Sequence, residues 1–563
     1  MDDVIKTAID EALAELGIES VGYMIEHPGD LSHGDFACNI AMVLAKKLGQ
    51  PPRAVAEQIV AKLDGQIEYV DLIEIAGPGF INFYLARDFF VAETARILAL
   101  GEMWGSNDSA AGEKVLIEYT SPNLFKPLHV GNLVGNIIGE SLTRIFEFSG
   151  AEVKRLNYPS DIGLTVAKGV WGLKETGGDP SDIKALGEAY RFGNEAYEND
   201  EAKKADIVAV NQALYSGTDS KLNELRDKGI ATSKVRLQII CTSLGTIFDQ
   251  TIFESDAAPQ GITIVKENTP DIFKESDGAV VYAGEKFGLH TRVFLNSKGL
   301  PTYEAKDLGN FVIKQTSFPN WTHSIVVTGN EQTEYFKVIY AAIKEIFPEV
   351  VAEDKKLEHI PTGFLTLTTG KMSSRKGNTL SGEQVLEELE AEAKLRITED
   401  TVEDVNDIPL ATKIATAAIK YQILRQSNGS DIIFDKERAL SFEGDSGPYL
   451  QYTFARICSV LDKVKAAGVV PSLASAPAEP YLIEKILYRF EEVVQTALDE
   501  RAPHKVVGYL TELAGAFNTF YAHEKIADAT DEYAPYKTAL AQAVAQTLKN
   551  GLWTLAIKAP ERL

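Results

Sequence analysis

Cysteine is almost absent. Cys38, Cys241 and Cys458 are the only three in 563 residues, and they lie far apart with no CxxC pair. That excludes a disulfide framework and a structural zinc cluster, and it fits a reducing compartment. Each thiol reads as a small buried hydrophobe. There is no uninterrupted apolar stretch long enough to span a bilayer, and the opening MDDVIKTAIDEALAEL is an acidic amphipathic pattern, not a secretory leader. A cytoplasmic protein with no membrane partner is the expectation. Cations are also in deficit: 56 Lys and Arg face 81 Asp and Glu, a formal net charge of −25. Taken alone this argues against nucleic acid as a partner, because phosphates are met by clustered Lys and Arg. Net charge, however, is a sum over the whole surface and does not describe one face of one domain. Internal repeats and extended low-complexity tracts are missing. With 45% hydrophobic and 24% charged residues the chain reads as an ordinary folded protein, and its length calls for roughly three or four domains.

Residues 1 to about 108 read as a small α+β domain, with helical patterns around HPGDLSHGDFACN and period-2 strands in VDLIEIAGPGFINFYL. The next unit opens with a strand from Lys114 to about Tyr119. A loop, PNLFKPLHV, follows, then a helix with Leu133, Ile137, Ile138, Leu142, Ile145 and Phe146 at helical spacing, stopped near Gly150. EVKRLNY returns as a strand. This βαβ unit implies a Rossmann-like parallel sheet with a ligand at the carboxyl ends of its strands. From about 172 to 256 the pattern is polar and helical, an insertion into that sheet. Strand patterns resume at GAVVYAGEKFGLHTRVFL and SIVVTGN, and the acidic connector TEDTVEDVNDIP leads into a C-terminal helical bundle. The predicted divisions are residues 1–108, 109–400 and 401–563.

Two loops carry the nucleotide chemistry. The first runs Lys126-Pro127-Leu128-His129-Val130-Gly131-Asn132. A helix start attracts anions, Gly131 admits a nucleotide close to the backbone, and His129 is placed to donate to a phosphate. Alone, His129 reads first as a polar residue near a helix start. The second is TTGKMSSRKGNT, where Lys371, Arg375 and Lys376 follow one another between glycines. Such cations neutralise charge developing on a leaving pyrophosphate, although alone they read as a solvated basic turn.

Together the loops resemble the HIGH and KMSKS motifs of class I aminoacyl-tRNA synthetases, and the chain as a whole resembles the arginyl members of that class. The resemblance implies ATP binding by His129, Gly131, Asn132, Lys371, Met372 and Ser373. It gives catalytic charge stabilisation to Lys126, His129, Lys371, Arg375 and Lys376. Two positions depart from the motifs: Asn132 stands for the second histidine of HIGH and Ser374 for the second lysine of KMSKS. In the arginyl family a lysine just before HIGH often supplies the missing charge, and Lys126 is there. Asn132 can hydrogen-bond but cannot become cationic.

A guanidinium calls for carboxylates in fork geometry. The family's EFSSPN segment reads Glu118-Tyr-Thr-Ser-Pro-Asn123 here, its YxxxD pair maps onto Tyr303 and Asp307, and its glutamine after the VV strand maps onto Gln332. These five are the expected arginine-binding residues, with Glu118 and Asp307 as the two carboxylates that pair with the guanidinium. Thr302 reads as the cap of the helix that carries Tyr303 and Asp307. In GPYLQYTFARICSVL, Tyr449, Tyr452 and Arg456 share one helix face, suited to stacking on unpaired bases. The C-terminal segments SFEGDSGPYLQYTFAR, YLTELAGAFNTFY and LKNGLWTLAIKAPERL resemble the family's anticodon-binding bundle. HGDFACNIA and AGPGFINFYL resemble its N-terminal domain, which points to Phe80 and Asn82 as contacts to the tRNA D-loop. The implied function is ATP-dependent activation of L-arginine and its transfer to the terminal adenosine of tRNA(Arg), by a monomer using Mg2+ with ATP and no zinc. A second reading on the same scaffold, the cysteinyl enzyme, lacks its thiol-binding zinc cluster here. A third, a tRNA-binding scaffold without catalysis, is motivated by Asn132 and Ser374.

Overall fold

The computed structural model describes residues 1–63, 65–351, 355–368, 381–397 and 408–563. These form two compact units. One comprises Met1–Trp104 with Ile457–Phe490 and Glu512–Thr547; the other comprises Gly105–Arg456 with Glu491–Thr511 and Leu548–Leu563.

In the first unit a four-stranded antiparallel sheet runs in the order Ile25–Glu26, Phe36–Cys38, Phe80–Leu85, Val70–Ala76. The helices Asp2–Glu15, Ile40–Leu48 and Pro52–Leu63 bury Ile5, Ile9, Leu13, Leu44 and Ile59 with the strand residues Phe36 and Phe83. The alternating apolar residues of VDLIEIAGPGFINFYL therefore fold as a hairpin. In the same unit Arg87 bonds Glu484 at 2.8 Å, and Glu484 also accepts from the Tyr536 hydroxyl.

The second unit is built on a five-stranded parallel sheet with strands β1 (Lys114–Glu118), β2 (Glu152–Asn157), β3 (Gln250–Thr251), β4 (His323–Gly329) and β5 (Lys356–Thr362). The spatial order is β5-β4-β1-β2-β3, so the order reverses between β1 and β4. Val115, Leu116 and Ile117 are buried because covered parallel strands are apolar on both faces. Helix α1 (Val130–Phe148) joins β1 to β2, and its apolar residues Leu133, Val134, Ile137, Leu142 and Ile145 are buried with them. The predicted insertion, from about 172 to 256, takes in the end of α2 (Leu164–Thr176) and then α3 (Ile183–Asn199), α4 (Glu201–Ser216) and α5 (Ser220–Ser243). Strand β3 falls within its predicted range. That strand is only two residues long and polar, and it had no legible period.

Helix α6 (Glu254–Glu267) and a three-stranded antiparallel sheet precede α7 (Tyr303–Ser317); α8 (Thr333–Ile346) joins β4 to β5. Further along lie α9 (Gly382–Lys394), α10 (Leu410–Leu424) and α11 (Gly447–Ala466), and the remaining chain is helical to Thr554. One correction applies to the C-terminal part, where no strand was expected: Ile432–Phe434 pairs in parallel with Leu365–Leu367. Most of the acidic connector lies outside the described residues. No helix among the described residues is long and apolar enough to cross a membrane.

Candidate active site

The carboxyl ends of β1 and β4 meet where the strand order reverses, which is where an open α/β sheet leaves a crevice. The loop from β1 to α1 rims it under backbone strain. Seven non-glycine residues in the described chain have positive φ, and three of them, Thr120, Ser121 and Phe125, are in this loop. Such conformations persist only when their surroundings hold them. Thr120 is held from α1: Asn132 Nδ2 donates to its carbonyl at 2.8 Å and Asn136 Nδ2 to its hydroxyl at 2.9 Å. Asn157 at the end of β2 accepts from Ser121 N–H at 3.2 Å. Phe125 is 1% exposed, and a Cβ at Gly169 or Gly229 would fall 2.7 or 2.3 Å from its ring. The bare backbones of α2 and α5 thus form flat walls around the ring.

His129 is the N-cap of α1. Its Nδ1 accepts from Gly131 N–H at 3.1 Å, so the neutral ring carries its proton on Nε2. Burial, then nearby Lys126, lowers its pKa. Burial and Lys168 likewise lower that of Lys126. His129 is therefore a neutral Nε2–H donor at the helix start. Asn132, whose amide is engaged with Thr120, works as a clamp on the loop.

Of the second motif, Lys371, Met372, Ser373, Arg375 and Lys376 lie outside the described residues. Their downstream flank is placed against the first motif. Ser381 bridges His129, and Gly382 N–H donates to Leu128 C=O at 2.7 Å. Glu383 accepts a long bond from Leu128 N–H at 3.4 Å and pairs with Arg236 of α5 at 3.0 Å.

On the other side of the crevice Tyr303 and Asp307 share a face of α7. Tyr303 is 56% exposed, with Lys306 Nζ 4.3 Å from its ring centroid. Thr302 precedes the helix without capping it, a correction to the expectation: its hydroxyl donates to Val293 and Phe294 carbonyls instead. Asp307 accepts from the Tyr335 hydroxyl of α8 at 2.6 Å. Burial, reinforced by the carboxylates of Glu118 and Glu254, pushes its pKa up to about 7. Asn123 and Gln332 are both half-buried, the first bridging Ser160 through its backbone and the second directly preceding α8.

Glu118 is not a second open carboxylate. It is 5% exposed, ion-paired with Lys314 at 2.6 Å, bonded by Asn310 at 2.8 Å, and beside a cavity of about 30 Å³, room for about one water. Lys314, one helical repeat beyond Asp307, has taken the place expected of a substrate cation. The sequence also missed Glu254, which pairs with Lys306 and accepts from Ser160 Oγ at 2.8 Å. Two of the three acids are thereby neutralised by lysines, and Asp307 is left with a hydroxyl. The site is short of one positive charge.

Tyr449, Tyr452 and Arg456 are all half-buried on α11. Arg456 lies over the Tyr452 ring at 4.6 Å, and Phe442 meets that ring at 6.1 Å. Phe80, at the turn of the N-terminal hairpin, is half-buried, whereas Asn82 is 3% exposed. Asn82 shares a face of its strand with Phe80 and Tyr84, which are both half-buried. A larger cavity, about 640 Å³, lies between α5, α9 and α10. It contains none of the motif residues, and the chemistry sits at the strand ends.

Comparison with known proteins agrees with this arrangement along the chain. The family model for tRNA synthetases class I (R), catalytic domain, matches residues 94–436; the arginyl tRNA synthetase N terminal domain matches 3–85, and the DALR anticodon binding domain matches 450–563. An arginine–tRNA ligase from Limosilactobacillus reuteri is 31% identical over 99% of both chains. One from Lactococcus lactis subsp. lactis is 30% identical over 97% of both. Among solved structures, Thermus thermophilus arginyl-tRNA synthetase superposes with a TM-score of 0.79 at 26% identity, covering 100% of both chains.

Proposed function

The chain belongs to the arginyl-tRNA synthetase family, and from that premise we propose that it acts as an arginine–tRNA ligase through the crevice between β1 and β4. The observation that carries the assignment is the missing positive charge at Asp307. A guanidinium is planar, permanently charged and able to fork onto one carboxylate. Asp307 receives it, Tyr303 flanks it, and Asn123 and Gln332 hold the rest of the amino acid. Glu118 and Glu254 act from behind, their charge largely cancelled by Lys314 and Lys306 while still keeping Asp307 proton-hungry. Binding arginine lets Asp307 release its proton and ionise.

An arginine carboxylate oxygen attacks the α-phosphorus of ATP, the bond to the β-phosphate oxygen breaks, and pyrophosphate leaves. The 2′-oxygen of the terminal adenosine of tRNA then attacks the arginyl carbonyl, and AMP leaves. Neither step needs a dedicated general base, since positioning and charge stabilisation carry both. His129 donates Nε2–H to the nucleotide phosphates, Gly131 allows their approach, and Asn132 keeps the loop in its strained form. Lys126, Lys371, Arg375 and Lys376 stabilise the pyrophosphate, and Met372 and Ser373 bind the nucleotide. Mg2+ arrives with ATP, held by its phosphates. The divisions at residues 108 and 400 separate D-loop binding through Phe80, catalysis, and anticodon binding through Tyr449, Tyr452 and Arg456.

ATP–pyrophosphate exchange with each of the 20 amino acids, with and without total tRNA, tests this reading. Exchange with arginine is expected. Exchange with a different amino acid overturns the pocket, and none with any amino acid overturns catalysis.

A further inference from the structure

Tyr158 follows the end of β2, and its N–H donates to Ser121 Oγ at 3.2 Å, which ties it to the strained loop. Its ring is packed against Ile252, Ala257 of α6 and Ile313 of α7, the helix that carries Asp307. The residue is 8% exposed, and among the described residues its hydroxyl has no hydrogen-bond partner. The ionisable groups acting on it are Asp307 first, then Glu254 and Glu118 of the proposed pocket, and last Tyr215 of α4. A buried unpaired hydroxyl costs a folded protein stability, and phenylalanine would fill the same space without that cost. The neighbouring hydroxyl of Tyr335 is already spent on Asp307. Tyr158 is placed to serve something that arrives.

Guanidinium has five N–H donors and no acceptor, and a single carboxylate fork takes two of them. We infer that Tyr158 is a further arginine-binding residue, whose hydroxyl accepts a hydrogen bond from the guanidinium held on Asp307. This rests on the arginine reading of the pocket. It also makes recognition depend on one carboxylate and one phenol, in place of two carboxylates. A lysine ammonium on Asp307 would not span both acceptors, so the hydroxyl raises selectivity as well as affinity.

A Tyr158→Phe change separates ligand from structure, because removing an unpartnered hydroxyl and removing a substrate contact have opposite signs. L-arginine binding to the full chain is measured by titration calorimetry, beside the melting temperature of the ligand-free protein and KM and kcat for arginine in charging. The expected result is an arginine affinity weaker by about tenfold, KM raised in parallel, kcat nearly unchanged and a melting temperature equal to or above the parent's. Unchanged arginine binding in Tyr158→Phe, with Asp307→Asn abolishing it, would overturn the role of Tyr158 and leave the arginine reading standing. A lowered melting temperature with unchanged affinity would show a structural hydroxyl and overturn it too. If Asp307→Asn also binds arginine normally, the pocket itself is wrong and Tyr158 falls with it.

Discussion

Two buried ionic clusters in the sheet-bearing unit differ in one respect. Around Glu140 of α1 every charge has an opposite. Arg144 Nε lies 2.8 Å and Arg155 Nε 3.3 Å from its carboxylate, the Tyr119 hydroxyl donates at 2.7 Å, and Arg155 also forks onto Glu147 at 2.6 and 2.9 Å. Against the burial that would raise it, Arg144 and Arg155 hold the Glu140 carboxyl below its usual range. Around Asp307 three acids meet two lysines, and burial pushes the third acid up to about 7. A balanced cluster completes itself and serves the fold. The unbalanced one is complete only with a ligand, and that imbalance, more than the presence of acids, marks the site.

The largest effect should come from breaking the balanced cluster. Glu140→Ala leaves Arg144 and Arg155 half-buried without their shared partner and should cost up to about 3–5 kcal/mol, read as a lower denaturant midpoint, while arginine affinity of the folded fraction changes little. An equal loss of stability in Asp307→Ala would erase the distinction between the clusters. That variant should instead hold its stability at pH 8 and lose arginine affinity by at least about a hundredfold, with tRNA affinity spared in filter binding. The sign follows from linkage. A carboxyl raised from 3.8 to about 7 contributes stability below its unfolded pKa and loses it as pH rises through 7. Arginine needs the ionised form, so affinity should rise about tenfold per pH unit below 7 and level off above it. Calorimetry in buffers of different ionisation enthalpy should detect the released proton, and a flat profile would mean Asp307 is already ionised or not involved. The smallest effect is expected from Tyr452→Ala, at about 1–3 kcal/mol of tRNA affinity for a lost base stack, with arginine binding untouched. No change in tRNA use would return Tyr452 to packing with Phe442.

Sequence reasoning went furthest where the signal is local. The apolar run at Val115–Ile117, the helix start at His129 and the i, i+4 pair Tyr303–Asp307 were all legible, because strand burial, capping and helical periodicity act within a few residues. Charge balance is not local. Lys306 and Lys314 sit on the same helix as Asp307 and read as ordinary helix cations until the fold brings Glu254 and Glu118 to them. How deeply Asn82 is covered between the half-buried Phe80 and Tyr84 depends on the neighbouring strands, which local alternation does not specify. Thr302 has cap spacing, yet the carbonyls of Val293 and Phe294 compete for its hydroxyl. Nothing in a sequence indicates that the hydroxyl of Tyr158 lacks a partner among the described residues.

The seat of Phe125 bears on how such a chain can be shortened. Its ring fixes one left-handed residue of the nucleotide loop, and the walls around it are Gly169 of α2, just ahead of the predicted insertion, and Gly229 of α5 within it. An engineer who trims those helices to obtain a minimal nucleotide-binding core removes the mould in which the loop is cast. A graft of the loop should therefore carry α2 and α5 with it.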